Sequence, residues 1–333
     1  MVPVREVEPA LRRRPASVRR SAAPGRTGAR RRLGALLAVM LLAAAGCAPS
    51  ARTPEAALGE GARGAVAFTG GGVVVSGVLT LADRPGRVPA VILMHGCSGL
   101  PHRAINGWNE VLPAWGYATF VVDGFGPRGY REICTDTSRV RPSERIADAY
   151  GALRILATHP RIDPERIILM GFSHGGIVTL AAATRWARER FAPPGAPAFR
   201  GFIAFYPFCN VEVPGMTALA GPLRVHSGAL DDWTPASHCV SLVRGMREAG
   251  GDAEITVYDG AHHSFDSVGL GVVRLSNVDN PGNCLIRLPS IDAPPDLAAL
   301  RACMTRGATS GWNPEATEAA RRNVRAQLEA LVR

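Results

Sequence analysis

The 333-residue sequence contains no lysine: all 38 of its basic residues are arginine, which reads as a genome composition bias. It is also poor in aromatics, at 6% of residues, so it offers few platforms for stacking nucleic-acid bases. A net charge of +10 would point to nucleic acid, but ten Arg and two Glu in residues 1–46 supply +8 of it. The rest of the chain is close to neutral, and no nucleic-acid partner is expected. There is no CxxC pair and no Cys/His cluster at zinc spacing, which weighs against a structural metal site. No apolar run approaches the roughly 20 residues that a membrane-spanning helix needs. A hydrophobic fraction of 47% without repeats excludes a collagen-like chain and disorder throughout. The length suffices for one large domain, or two small ones, with a substantial core.

What is present begins with a leader. Arg30-Arg31-Arg32 precede the apolar stretch Leu33–Ala45, and Ala44-Ala45-Gly46-Cys47 leads into the polar Ala48-Pro49-Ser50. A positive flank, a short apolar run and small residues form a secretory signal pattern. It resembles a bacterial lipoprotein signal, in which Cys47 takes lipid and becomes the first mature residue. Cleavage nearby without lipid is the other reading, and the arginines also fit a twin-Arg signal. The expected organisation is a leader at 1–46, a tether at 47–63 and a folded domain at 64–333. The expected location is the bacterial cell envelope, facing the periplasm, with membrane contact only through the lipid. In such an oxidising compartment the six cysteines after Cys47 read as disulfides.

Along the domain, Val and Thr alternate around Gly70-Gly71-Gly72, predicting an opening hairpin over 64–81. Short apolar runs at 89–94, 117–123, 166–171, 202–206, 223–226 and 254–258 predict buried strands. Helical spacing falls between them, at 104–115, 142–158, 174–188 and 235–248, with a long amphipathic helix at 314–332. Strands alternating with helices give an α/β fold, a mainly parallel sheet covered on both faces. Residues 266–313 are the least regular and read as an excursion.

One strand runs directly into Gly171-Phe172-Ser173-His174-Gly175, a G-x-S-x-G sequence, and a helix follows. Chance supplies this pattern in many chains, but its place between strand and helix makes it specific: the tight turn lifts the hydroxyl clear of the sheet. Serine needs a base and an orienting acid to act as a nucleophile. Strand 223–226 leads to Gly228-Ala229-Leu230-Asp231-Asp232-Trp233-Thr234-Pro235, and strand 254–258 to Ala261-His262-His263-Ser264-Phe265. Acid and base thus follow the serine in that order, each after a later strand.

With HGCSGL at 95–100, GFSHGG at 171–176, GALDDWTP at 228–235 and AHHSF at 261–265, the chain resembles the dienelactone hydrolase family of α/β-hydrolases across about residues 65–331. The resemblance implies an α/β-hydrolase fold with Ser173 as nucleophile, Asp231 as acid and His263 as base. The backbone amides of Cys97 and His174 would form the oxyanion hole. The namesake enzymes use Cys at the elbow, so Ser173 favours a general serine esterase, and no carboxylate-binding arginine carries over. Asp232 stays open as the acid and His262 as the base. The expected substrate is a small-molecule carboxylic ester, with no metal or organic cofactor. A peptidase, thioesterase or acyltransferase with the same triad remains an alternative, as does a non-catalytic envelope binding protein.

Several residues have blander readings. Ser173 is also a good helix cap, His95 reads as a loop residue and His226 as packed or paired. Trp233 and Phe265 are as suited to core packing as to lining a pocket. Arg128 and Arg131 read as solvated loop charges, with an anionic substrate as the alternative. Loops after adjacent strands carry Cys97 and Cys134, and topology also suggests Cys209–Cys239 and Cys284–Cys303.

Overall fold

A computed structural model describes residues 56–100, 105 and 107–333, so the leader and Cys47 lie outside the described residues. The alternating Val-rich segment forms β1 (Gly64–Gly70) and β2 (Val73–Thr80), paired antiparallel. The turn between them is Gly71-Gly72, with φ of 53° and 87°, the backbone that two-residue hairpins require. The described end of the predicted tether already touches the domain. The Leu58 amide donates to Thr158 Oγ1 at 2.9 Å, and the Leu58 side chain packs on the core.

Next come β3 (Val88–Met94), α1 (Trp108–Ala114), β4 (Ala118–Asp123), α2 (Pro142–Leu156) and β5 (Ile162–Phe172). After α3 (His174–Ala182) and α4 (Arg185–Phe191) follow β6 (Gly201–Phe205), the short β7 (Val211–Glu212) and β8 (Leu223–Gly228). The chain then forms α5 (Ala236–Glu248), β9 (Ala253–Tyr258), β10 (Val273–Asn280), β11 (Ile286–Arg287), α6 (Leu297–Cys303), β12 (Thr305–Ser310) and α7 (Pro314–Leu331). The main sheet has eight strands in the order β1-β2-β4-β3-β5-β6-β8-β9. From β4 to β9 all neighbours are parallel.

The period-two geometry of a strand explains the layers. In β3, Ala90, Ile92 and Met94 face a core shared with α2, α3 and α5, whereas Val91 and Leu93 face α1 and α7. Helix α7 lays Ala316, Ala320, Val324 and Leu328, spaced four apart, onto that second face. The chain leaves β3 toward β4 and returns on its other side as β5, so the carboxyl ends of β3 and β5 flank a topological switch point. A crevice opens at such a point in an open α/β sheet, and it sets the place of the site.

Two expectations needed correction. The helix expected over 174–188 is broken in two, because Thr184 adopts an extended conformation and caps α4 by accepting the Ala187 amide. The excursion is also more regular than its sequence. Strands β10 and β12 pair antiparallel with a bulge between Leu275 and Asp279, and α6 precedes β12. No helix among the described residues is long and apolar enough to cross a membrane.

Candidate active site

Ser173 sits between β5 and α3 with φ 52° and ψ −114°. Its positive φ is strained for a residue bearing a side chain. The packing makes the flanking glycines necessary. A Cβ on Gly175 would collide with the Met94 carbonyl at the end of β3, and one on Gly171 would strike the Gly175 carbonyl and Thr179. The non-glycine residues with positive φ among the described residues are Ser173, Tyr206 and Ser264. Ser173 and Tyr206 directly follow strands, Ser264 follows His263, and the Tyr206 ring lies 4.7 Å from that of His263. Backbone strain is thus gathered around one point.

His263 Nε2 lies 2.9 Å from Ser173 Oγ, and its Nδ1 lies 2.8 Å from Asp231 Oδ2. His263 and Asp231 are almost wholly buried. Asp231 is itself held by three donors: the Trp233 and Thr234 amides reach Oδ1 at 2.9 and 2.8 Å, and Thr234 Oγ1 stands 2.9 Å from Oδ2. The carboxylate is thereby aimed at Nδ1, which fixes the ring with its Nε2 lone pair toward the serine. The imidazole lies between Tyr206 and Trp233, whose ring is 4.7 Å away. From outside, Ser310 Oγ and the Gly311 amide donate to the His263 carbonyl at 3.1 and 3.0 Å. Thus the end of β12 supports the histidine.

The loop after β3 abuts the elbow, since a Cβ on Gly96 would stand 3.3 Å from Ser173 Cβ. This puts the Cys97 segment beside Ser173, while His174 follows it in the chain. Cys97 is joined to Cys134, with Cα atoms 4.8 Å apart, and the Cys97 carbonyl accepts the Ile133 amide at 2.8 Å.

Arg145, on α2, escaped the sequence reading. It is fully buried, and its Nη1 donates to the His95 carbonyl at 3.0 Å and to His174 Nδ1 at 2.9 Å. His174 Nε2–H donates to the Val140 carbonyl at 3.0 Å. Burial, and then the Arg145 charge, pull the His174 imidazole down to about 3, so it is neutral and accepts from Arg145. Burial lowers the Arg145 guanidinium to about 10, opposed by the Asp148 charge. Arg145 Nε and Nη2 have no acceptor among the described residues, and the guanidinium lies 4.7 Å from the Phe125 ring.

Asp232 points away from the histidine, accepting Thr309 N at 2.7 Å and pairing with Arg274, so it ties the acid loop to β10 and β12. His262 Nδ1 faces the Leu230 carbonyl. His95 is a brace: Nδ1–H donates to the Gly96 carbonyl and Nε2 accepts the Gly124 amide. His226 is buried between Tyr258 and Gln327, and burial lowers its imidazole to about 4. Arg128 is not a solvated charge, for it donates twice to the buried Asp148 at 2.8 and 2.9 Å, whereas Arg131 is exposed. Phe265 is core, packed with α7, and Trp233 donates its Nε1–H to the Asp279 carbonyl. Cys209 is joined to Cys239 and Cys284 to Cys303. Among the described residues no group of three or more His, Cys, Asp or Glu is arranged to hold a metal ion.

A mainly parallel sheet with a strained serine at the switch point defines the α/β-hydrolase class. A sequence model of the dienelactone hydrolase family matches residues 75–270. The chain belongs to that family and is a hydrolase acting on esters. It is 22% identical over 196 residues to a probable 2-oxo-3-(5-oxofuran-2-ylidene)propanoate lactonase of Bradyrhizobium, covering 54% of this chain and 74% of the relative. Over 118 residues it is 31% identical to the thiohydrolase aneE of Aspergillus aculeatus, covering 34% of each chain. Its fold is similar to a Klebsiella pneumoniae protein assigned as a dienelactone hydrolase, with a TM-score of 0.57 and 19% identity. That likeness covers 80% of this chain and 98% of the other.

Proposed function

We propose that the protein cleaves carboxylic esters through an acyl-enzyme on Ser173. The observation that carries this reading is the hydrogen-bonded line from Ser173 Oγ through His263 to Asp231. Ser173 Oγ attacks the carbonyl carbon while His263 Nε2 takes its proton, and Asp231 stabilises the resulting imidazolium. The Cys97 and His174 amides bind the negative charge that develops on the carbonyl oxygen. The carbon–oxygen bond to the alcohol then breaks, and His263 returns the proton to the leaving oxygen. Water, deprotonated by His263, attacks the acyl-enzyme, releasing the acid and restoring Ser173.

The test is hydrolysis of p-nitrophenyl acetate and butyrate by the oxidised full chain beside Ser173→Ala. Turnover abolished in the variant supports the reading. Equal inactivity of two folded proteins turns the reading toward a binding protein. The partial likeness to a thiohydrolase favours one second reading, thioester cleavage by the same residues. Adding a thioester to the panel separates the two.

We further infer export, with the leader removed and Cys47 lipidated, so that residues 64–333 work as one domain on the periplasmic side. The joining of all six cysteines after Cys47 in three disulfides supports an oxidising compartment. Mass spectrometry of the mature N-terminus tests this. An unprocessed Met1 would contradict it.

A further inference from the structure

A cavity of about 920 Å³ comes within one residue of Ser173: His174 lines it, whereas Ser173, Asp231 and His263 do not. Its floor is a stripe of α3, made by His174, Ile177 and Ala181, which share one helix face at spacings of three and four. That stripe begins at the residue after Ser173. The lining also includes Ile291, Leu300 and Met304, from a part of the chain beyond the span that matches the family. Two links hold this part in place. Cys284–Cys303 joins its two halves, and β11 pairs with β7 through Ile286 and Val211. Of the charged residues lining the cavity, Arg306 pairs with Asp279 at 2.8 Å, Asp136 with Arg139 and Arg141 with Glu144, and Arg301 is exposed. The surface left for a ligand is largely aliphatic.

We infer that this cavity receives the hydrocarbon chain of the substrate's acyl group, making the protein selective for long-chain esters. The inference rests on the acyl-enzyme reading above. In that reaction the leaving alcohol must lie against His263 Nε2, which protonates it. The acyl chain therefore leaves the carbonyl carbon on another side. The oxyanion is bound at the His174 amide, so the carbonyl sits at the start of the α3 stripe that floors the cavity. The chain follows that stripe toward Leu300 and Met304. Aliphatic walls reward each added methylene until the cavity is full.

The experiment is a series of p-nitrophenyl esters from acetate to laurate with the purified full chain, its disulfides intact, alongside Ile177→Trp and Leu300→Trp, which fill the cavity. The expected result is a kcat/KM for decanoate at least roughly tenfold above that for acetate, and a fall of about tenfold in that ratio in each variant. The wild-type profile needs no variant to fold. Acetate turnover with a flat profile, or an unchanged ratio in a folded variant, overturns this inference alone. No turnover at any length overturns the catalytic reading and this inference with it.

Discussion

Arg145 and His174 are joined inside the protein: the guanidinium Nη1 lies 2.9 Å from the imidazole Nδ1, with both residues buried. The same nitrogen reaches the His95 carbonyl at 3.0 Å. One positive group therefore ties the start of α3 to the loop carrying Cys97, the two segments proposed to supply the oxyanion donors. Arg145→Met removes the charged donor from the His95 carbonyl and from His174 Nδ1, and a lost buried partner costs about 1–3 kcal/mol. The expected outcome is a lower urea midpoint and kcat reduced about tenfold, a fraction of what losing an oxyanion donor itself costs. Arg145→Lys should recover part of both. A wild-type kcat in a folded Arg145→Met would show that the link does not position the donors.

Adjacent aspartates should behave differently. In the proposed triad Asp231 orients His263, so Asp231→Asn is expected to lower kcat by about 10⁴, the scale of losing the acid from a serine triad. Asp232 instead holds Arg274 and Thr309 at the surface, and Asp232→Asn should leave kcat within about threefold, as for a surface substitution. Steady-state kinetics of both variants decide the assignment.

The cross-link at Cys97 should matter for rate as well as stability. Cys134→Ser opens a loop of sequence separation 37, with an expected loss of about 3–4 kcal/mol. It also frees the chain that carries the Cys97 amide. Thermal melts and kcat should both fall, and mild reduction of the wild type should reproduce the loss. Unchanged kcat after complete reduction of this bond would refute its role in the site.

Acid should weaken the fold through its buried histidines. Burial holds the His226 imidazole at about 4 against an ordinary 6.5, so between those values the unfolded chain binds a proton that the folded chain does not. Stability therefore rises with pH across this window and is lost as pH falls from 6.5 toward 4, by on the order of 3 kcal/mol for this group. His174, at about 3, acts in the same direction. Urea midpoints between pH 4 and 8 should show this slope, and His226→Asn should make it shallower.

The sequence revealed much of this arrangement because strands and the elbow leave local marks. The short apolar runs at 89–94 and 166–171, bounded by turn residues, read as buried strands, and the glycines around Ser173 announce a turn in which backbone approaches backbone. Arg145 left no such mark. Within a helix it reads as a polar position, since arginine is seldom fully buried, and its partners are distant in sequence. Between Asp231 and Asp232 only the family resemblance favoured Asp231, because their difference depends on Thr309 and Arg274 reaching one carboxylate and the Thr234 amide the other. The pair β10 and β12 was missed because Val273–Asn280 alternates only over Val273–Ser276 before the bulge breaks the pattern. Its regularity comes from pairing across 25 or more residues, which no local pattern records.

The most direct test of Ser173 as the nucleophile is covalent labelling with a serine-directed fluorophosphonate, followed by intact-mass measurement and peptide mapping. The predicted result is one adduct per chain, on the peptide containing Ser173, absent from Ser173→Ala and strongly slowed in His263→Ala. Folded wild-type protein that takes no label, or takes it at a serine other than Ser173, would contradict the account.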